Sequence, residues 1–255
     1  MKKNIGKHNK IKKKSKKIKK IIIIIIFFII LTFSSIKYIN INKNAEIYKE
    51  ISSNIEDNEE NINLKKIKYA KNINSDVIGW LEVPNTMINY PILQSNNNDY
   101  YLKYNYKREE SKYGSIFLNY KSNINDENSN LIIYGHNMGD NQMFNELLKY
   151  RDEEYFKKHK IIKISNEQKE YNYSIIAVFK SRVFYQDEED VFRYYNYTYF
   201  NNEEEYNNYI KNVNQLQLYN TNVSAKYGEQ LATLITCEYS QKNGRLVIVA
   251  KKELK

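Results

Sequence analysis

The feature that most limits what this chain can become is an apolar run from Ile21 to Phe33, interrupted only by Thr32 and extendable through Ser34-Ser35 to Ile36. Eleven lysines and no acidic residue fill positions 1–20 immediately before it. A helix that is apolar on every side must be covered by protein or by lipid. The dense charge upstream argues against a core helix. Sixteen residues at about 1.5 Å each fall slightly short of a ~30 Å hydrocarbon core, a gap that snorkelling lysines can close. A cleaved signal peptide has the same charged-then-apolar order, but the small-residue cleavage pattern is missing, so an uncleaved anchor is favoured. On that reading residues 1–20 are a cytoplasmic polybasic tail and 21–36 a single-pass transmembrane anchor in the cell membrane. The lysines stay cytoplasmic and everything beyond faces outward.

The tail also explains the charge. The chain carries a net +10, yet outside the first twenty residues 29 basic groups meet 30 acidic ones. A body so nearly neutral is a poor partner for phosphate backbones, which excludes a nucleic-acid-binding class. The 25 tyrosines accompany abundant Ile, Asn and Lys. All are residues of A/T-rich codons, so the aromatic count by itself says little about recognition.

Between Lys37 and about Ser75 apolar residues recur at helical spacing, as in Ile47, Tyr48, Ile51 and Ile55 and then Leu64, Ile67 and Ala70, which predicts a stalk helix and a second helix on the body. From Val77 the pattern turns to short β-like runs. They are Ile78–Val83, Ile88–Leu93, Ser115–Asn119, Leu131–Gly135, Lys160–Ser165, Glu170–Phe184, Leu231–Cys237 and Arg245–Val249. Met143, Phe144, Leu147 and Leu148 mark one helical face. Asn201-Asn202 ahead of three glutamates marks the start of another helix, over 202–213, between the sixth and seventh strands. The fold class is therefore mainly β with flanking helices (α+β), an eight-stranded barrel occupying 76–255 behind the 37–75 stalk.

The lone cysteine, Cys237, ends the seventh run, and Arg245 opens the eighth. A thiol and a guanidinium across a strand pair suit acyl chemistry, since the thiolate attacks and the cation steadies a developing oxyanion. The plainer reading is a small buried hydrophobe beside a solvated arginine. Of three histidines, His8 sits in the basic tail and His159 among lysines. His136 lies where an apolar strand runs out into a loop. A buried structural histidine explains that position equally well. Together, however, Cys, His and Arg each stand at a strand terminus, where distant parts of a barrel converge. A free thiol with no intramolecular partner in an outward-facing domain is easier to understand if it reacts.

On Ile78-Gly79-Trp80-Leu81, Ile88-Asn89-Tyr90-Pro91, Asn98-Asp99-Tyr100-Tyr101-Leu102, Tyr134-Gly135-His136-Asn137, Met143-Phe144 and Thr233-Leu234-Ile235-Thr236-Cys237 with Arg245, the chain resembles a sortase of class B. These are membrane-anchored cysteine transpeptidases of Gram-positive bacteria. The family usually has Ser or Thr where Ile235 stands, so this position either reshapes the substrate groove or points into the barrel. The resemblance implies a sortase barrel and a reaction in which Cys237 attacks the Thr carbonyl of a C-terminal sorting motif. A thioester results, and an amine of cell-wall peptidoglycan resolves it. It implies His136 as acid and base, Arg245 as holder of the substrate or oxyanion, and Asn98, Leu102, Tyr134 and Glu238 as groove residues. Secreted proteins bearing the sorting signal are the implied partners, with no cofactor and no metal. A pilus-assembling relative, a hydrolytic cysteine protease and a silent surface-binding barrel are the competing readings. The first usually brings an Asp-Pro-Trp lid and a C-terminal apolar helix, neither of which is in the sequence.

Overall fold

A computed structural model describes residues 2–55 and 62–253, with the side chains of residues 2–16 and Ser52 left aside. The tail lysines up to Lys16, His8 and the middle of the predicted stalk, 56–61, thus lie outside what is described in full. The chain divides into two compact units, Met1–Ile47 and Tyr48–Lys255.

Helix α1 spans Lys2–Ser53. Its segment Lys17–Ile51 is long and apolar enough to span a membrane, with a mean hydropathy of 2.5 over its best window and none of that window buried. Lys37 does not interrupt the helix, and Tyr38 and Ile39 beyond it are exposed. Ile21 to Ile39 therefore reach about 28 Å at ~1.5 Å per residue, longer than the apolar letters alone suggest.

In the second unit α2 (Ile62–Ile73) lays Ile67 and Ala70 against the barrel. The barrel strands are β1 Val77–Glu82, β2 Asn89–Leu93, β3 Phe117–Leu118, β4 Asn130–Tyr134, β5 Ile161–Ser165, β6 Glu170–Arg182, β7 Leu231–Cys237 and β8 Gly244–Lys252. They close in the order β1-β2-β3-β4-β7-β8-β6-β5. Among the described residues, closure leaves no strand at an open edge of the sheet. Two pairings are parallel, β2 with β3 and β4 with β7; the rest are antiparallel.

Helix α4 (Glu203–Leu216) begins where expected, with the Asn202 side chain accepting from the Glu205 amide and three glutamates in its first turn. Its Tyr206, Tyr209, Ile210 and Val213 pack on Ile132, Phe179, Ile235, Val247 and Val249 from one face of β4, β7, β8 and β6. The helix expected around Met143–Leu148 takes another form. Met143 is left-handed (φ 54°) and its amide donates to the Tyr90 hydroxyl at 2.9 Å, which stops an α-helix from starting there. A 3-10 helix over Asn145–Arg151 follows, and then a short α3 (Glu153–Lys158). Phe144, Leu147 and Tyr150 are fully buried all the same. The apolar spacing of about three serves a 3-10 turn as well as an α-helix.

Candidate active site

The site is built around the end of β7. On one side β4 runs parallel to it, with Tyr134 opposite Ile235. On the other β8 runs antiparallel, with Cys237 opposite Arg245. The parallel register carries the chain two residues beyond Tyr134, to His136, up to the level of Cys237. Two side-chain bonds fasten the exits together: Thr236 Oγ1 donates to the Gly135 carbonyl at 2.9 Å, and Asn137 Nδ2 donates to the Cys237 carbonyl at 3.0 Å. Directly opposed residues of a sheet share a face, so Cys237 and Arg245 project to the same side.

Two glycines make this approach possible. A Cβ on Gly135 would lie 2.5 Å from Ile116 Cδ1 and 2.6 Å from Phe144 Cγ, so only glycine brings the chain to His136 without collision. A Cβ on Gly244 would lie 2.2 Å from the Glu238 carbonyl oxygen, whose residue donates its amide back to the Gly244 carbonyl at 3.0 Å. That tight turn keeps Arg245 level with Cys237.

Cys237, His136 and Arg245 open into one cleft of about 490 Å³. Cys237 is a free thiol, partly exposed. Arg245 Nη1 donates to the carbonyls of Asn243 (3.2 Å) and Gly244 (2.9 Å), which holds the guanidinium against its own turn. His136 Nε2 lies 2.8 Å from the Leu102 carbonyl oxygen.

Of the four groove residues implied by resemblance, Asn98, Leu102 and Tyr134 line the cleft. Glu238 does not. It is buried, meeting Arg151 Nη1 at 3.2 Å, Lys180 Nζ at 3.6 Å and the Ser240 amide at 3.0 Å. Burial alone would raise its pKa, but the Ser240 hydroxyl and amide, with Lys180 and Arg151, hold its carboxyl below the ordinary range. This carboxylate braces the turn behind the thiol.

Ile235 forms part of the cleft floor while packing into the cluster under α4. Phe117, Val183, Tyr194 and Tyr195 also line the cleft, and sequence reasoning missed all four. Burial pushes the Tyr134 and Tyr194 phenols up, so they stay neutral. His159 bonds the Tyr155 carbonyl through Nδ1 at 2.9 Å and stacks on that ring, a structural role.

The Sortase domain family matches residues 81–253. Among curated relatives, sortase B of Staphylococcus aureus is 30% identical over 225 residues, 80% of this chain and 89% of its own. Sortase B of Listeria monocytogenes is 36% identical over 188 residues, 73% of each chain. A solved Staphylococcus aureus sortase B–substrate complex superposes with a TM-score of 0.65 at 31% identity, covering 74% of this chain and 84% of that one. With eight strands closed as a barrel and a cysteine at the end of the seventh, the chain belongs to the sortase family as a class B member, a cysteine transpeptidase that anchors proteins to the cell wall.

Proposed function

We propose that Cys237, His136 and Arg245 carry out the transfer, and that the cleft takes a C-terminal sorting peptide of a secreted protein. The observation that carries this is the register of β7 between β4 and β8, which gives thiol, imidazole and guanidinium a common cleft. The Cys237 sulfur attacks the scissile carbonyl, and the thiol proton goes to His136. Arg245 steadies the oxygen as it gains charge. Collapse breaks the C–N bond, His136 returns the proton to the departing amine, and a thioester to Cys237 remains. An amine of peptidoglycan then attacks the thioester, and the sulfur leaves as thiolate while the amine's proton passes to His136. One peptide bond is exchanged for another, so no nucleotide is consumed.

The N-terminal helix serves as the anchor in this reading, with residues 1–20 cytoplasmic, 21–36 at the centre of the span and the barrel from 76 onward outside the cell. Its length and exposed apolar surface support that role. Substrate and enzyme then share the membrane surface. That a Staphylococcus aureus relative was solved with substrate supports a peptide in the same groove.

Incubating the protein with sorting-motif peptides, with and without an oligoglycine or cross-bridge amine, tests the reading. Amine-dependent ligated product is the expected result, lost in Cys237→Ala and strongly reduced in Arg245→Ala. Equal turnover in those variants overturns it.

A further inference from the structure

Among the described residues, no side chain orients His136 as one commonly does in a thiol–imidazole pair. Among the described residues, the one hydrogen-bond partner of its ring is the main-chain carbonyl of Leu102, 2.8 Å from Nε2. The other titratable and charged groups of the cleft are Cys237, Arg245, Asp99 and the phenols of Tyr134, Tyr194 and Tyr195. None of these bonds the imidazole among the described residues.

A carbonyl oxygen accepts and never donates, so the nitrogen facing it must carry hydrogen. A neutral imidazole has one N–H. With that hydrogen on Nε2, Nδ1 is left bare. We infer that the Leu102 carbonyl is the orienting group of the catalytic base, fixing His136 as the Nε2–H tautomer so that Nδ1 exchanges the proton with Cys237. This rests on the catalytic reading above and adds to it which ring nitrogen works and what holds it. The logic is that of any base oriented by a third group, here met by a backbone dipole where other enzymes use a side chain.

The turn that supplies the carbonyl is built to hold it still. Asn97 Oδ1 accepts from the amides of Asp99 and Tyr100, each at 2.9 Å. Tyr101, fully buried, donates its hydroxyl to Asp76 at 2.6 Å and accepts from Asn74 at 3.0 Å. The Ser115 amide donates to the Tyr101 carbonyl at 2.9 Å. Beneath the turn sits Gly114, at φ +55°, where a Cβ would lie 2.4 Å from the Tyr101 oxygen and 3.0 Å from the Leu102 oxygen. A side chain at 114 therefore forces the turn to shift at the Tyr101 oxygen and presses on the neighbouring Leu102 carbonyl that holds the imidazole. Leu102 meanwhile turns a partly exposed side chain into the cleft. One residue thus touches the groove with its side chain and the base with its backbone, which makes Leu102 a positioning residue.

The direct test uses the intact protein. Nitrogen-15 chemical shifts of the imidazoles are followed across pH, with the His136 signals assigned by their loss in His136→Ala. Above the imidazole titration the remaining proton is expected on Nε2. A proton on Nδ1 overturns the inference, whatever the activity.

Two variants provide the functional arm. Gly114→Ala is expected to lose roughly tenfold to a hundredfold in kcat and to shift the pH dependence of Cys237 alkylation toward that of His136→Ala. Leu102→Ala keeps its carbonyl, so its effect is expected in KM, with the alkylation profile unchanged. A folded Gly114→Ala with the wild-type profile, or a Leu102→Ala that moves the profile, counts against the idea. If His136→Ala and Cys237→Ala stay active, the catalytic reading fails while the tautomer result still stands.

Discussion

Asn137 donates its side-chain amide to the main-chain carbonyl of Cys237 at 3.0 Å, joining the loop after β4 to the end of β7. Its own amide oxygen accepts from Asn145 Nδ2 at 2.6 Å, so the bridge is held from behind. His136 follows the end of β4 and Cys237 closes β7, and this bond links the two exits beyond the last strand pair. Replacing Asn137 by Ala should lower stability by about 1 kcal/mol, the net worth of one such bond. Its effect on kcat for peptide transfer should exceed its effect on KM. Denaturant unfolding together with steady-state kinetics checks both.

Arg245 invites a substitution that keeps charge and removes shape. Its Nη1 already spends hydrogen bonds on the Asn243 and Gly244 carbonyls, leaving the rest of a rigid fork toward the cleft. A lysine cannot anchor itself at one end and present donors at the other. Arg245→Lys should therefore lose roughly tenfold to a hundredfold in kcat/KM for peptide cleavage. Activity near wild type would mean that charge alone suffices.

Gly135 should tolerate nothing larger. The methyl of Gly135→Ala would lie within 2.6 Å of both Ile116 and Phe144. Overpacking of this kind costs about 1–3 kcal/mol. The loss of activity should exceed the loss of folded protein, because His136 is the next residue. A thermal melt beside an activity assay on the same sample separates the two.

Stability should respond to acid through Glu238. Its carboxyl is held below the ordinary value in the folded protein by Ser240, Lys180 and Arg151. A depressed folded value contributes stability that is present in full above the unfolded pKa, about 4.3. That contribution drains away as pH falls from there through the lower folded value. Glu238→Gln should lose stability at neutral pH and show a flatter decline below about pH 4.3. Urea midpoints at pH 7 and pH 3.5 would reveal it, and parallel curves for the two proteins would contradict it.

Ile235 sets the character of the floor two residues from the thiol. Ile235→Thr should cost about 1–2 kcal/mol, since it removes buried methylene and adds a hydroxyl. It should also shift peptide preference toward polar side chains over that point, as read from competition between paired sorting peptides.

Much of this was legible in the letters. All eight strands follow from apolar runs bounded by polar turns, although Ser115–Asn119 contracts to Phe117–Leu118 and the sixth run stops at Arg182, two residues early. Asn202 announced α4 because capping chemistry is local. Cys237 and Arg245 could be paired by reading a hairpin. The parallel pairing of β4 with β7 could not be read, for nothing local encodes which distant strand lies alongside. Glu238, a groove residue by resemblance, is buried against Arg151 and Lys180, ion-pair partners that lie 87 and 58 positions back along the chain where no local pattern shows them. Asn137 gives no periodic signal, and a backbone carbonyl such as that of Leu102 has no letter at all.

The parallel β4–β7 contact has a bearing on the protein's birth. Ninety-six residues separate the end of one strand from the start of the other, and β7 pairs in turn with β8, which follows it in the chain. Loop closure over such a distance comes late, after local hairpins have formed. A nascent copy emerging N-terminus first therefore travels with a histidine lacking its sulfur and then a sulfur lacking its seat.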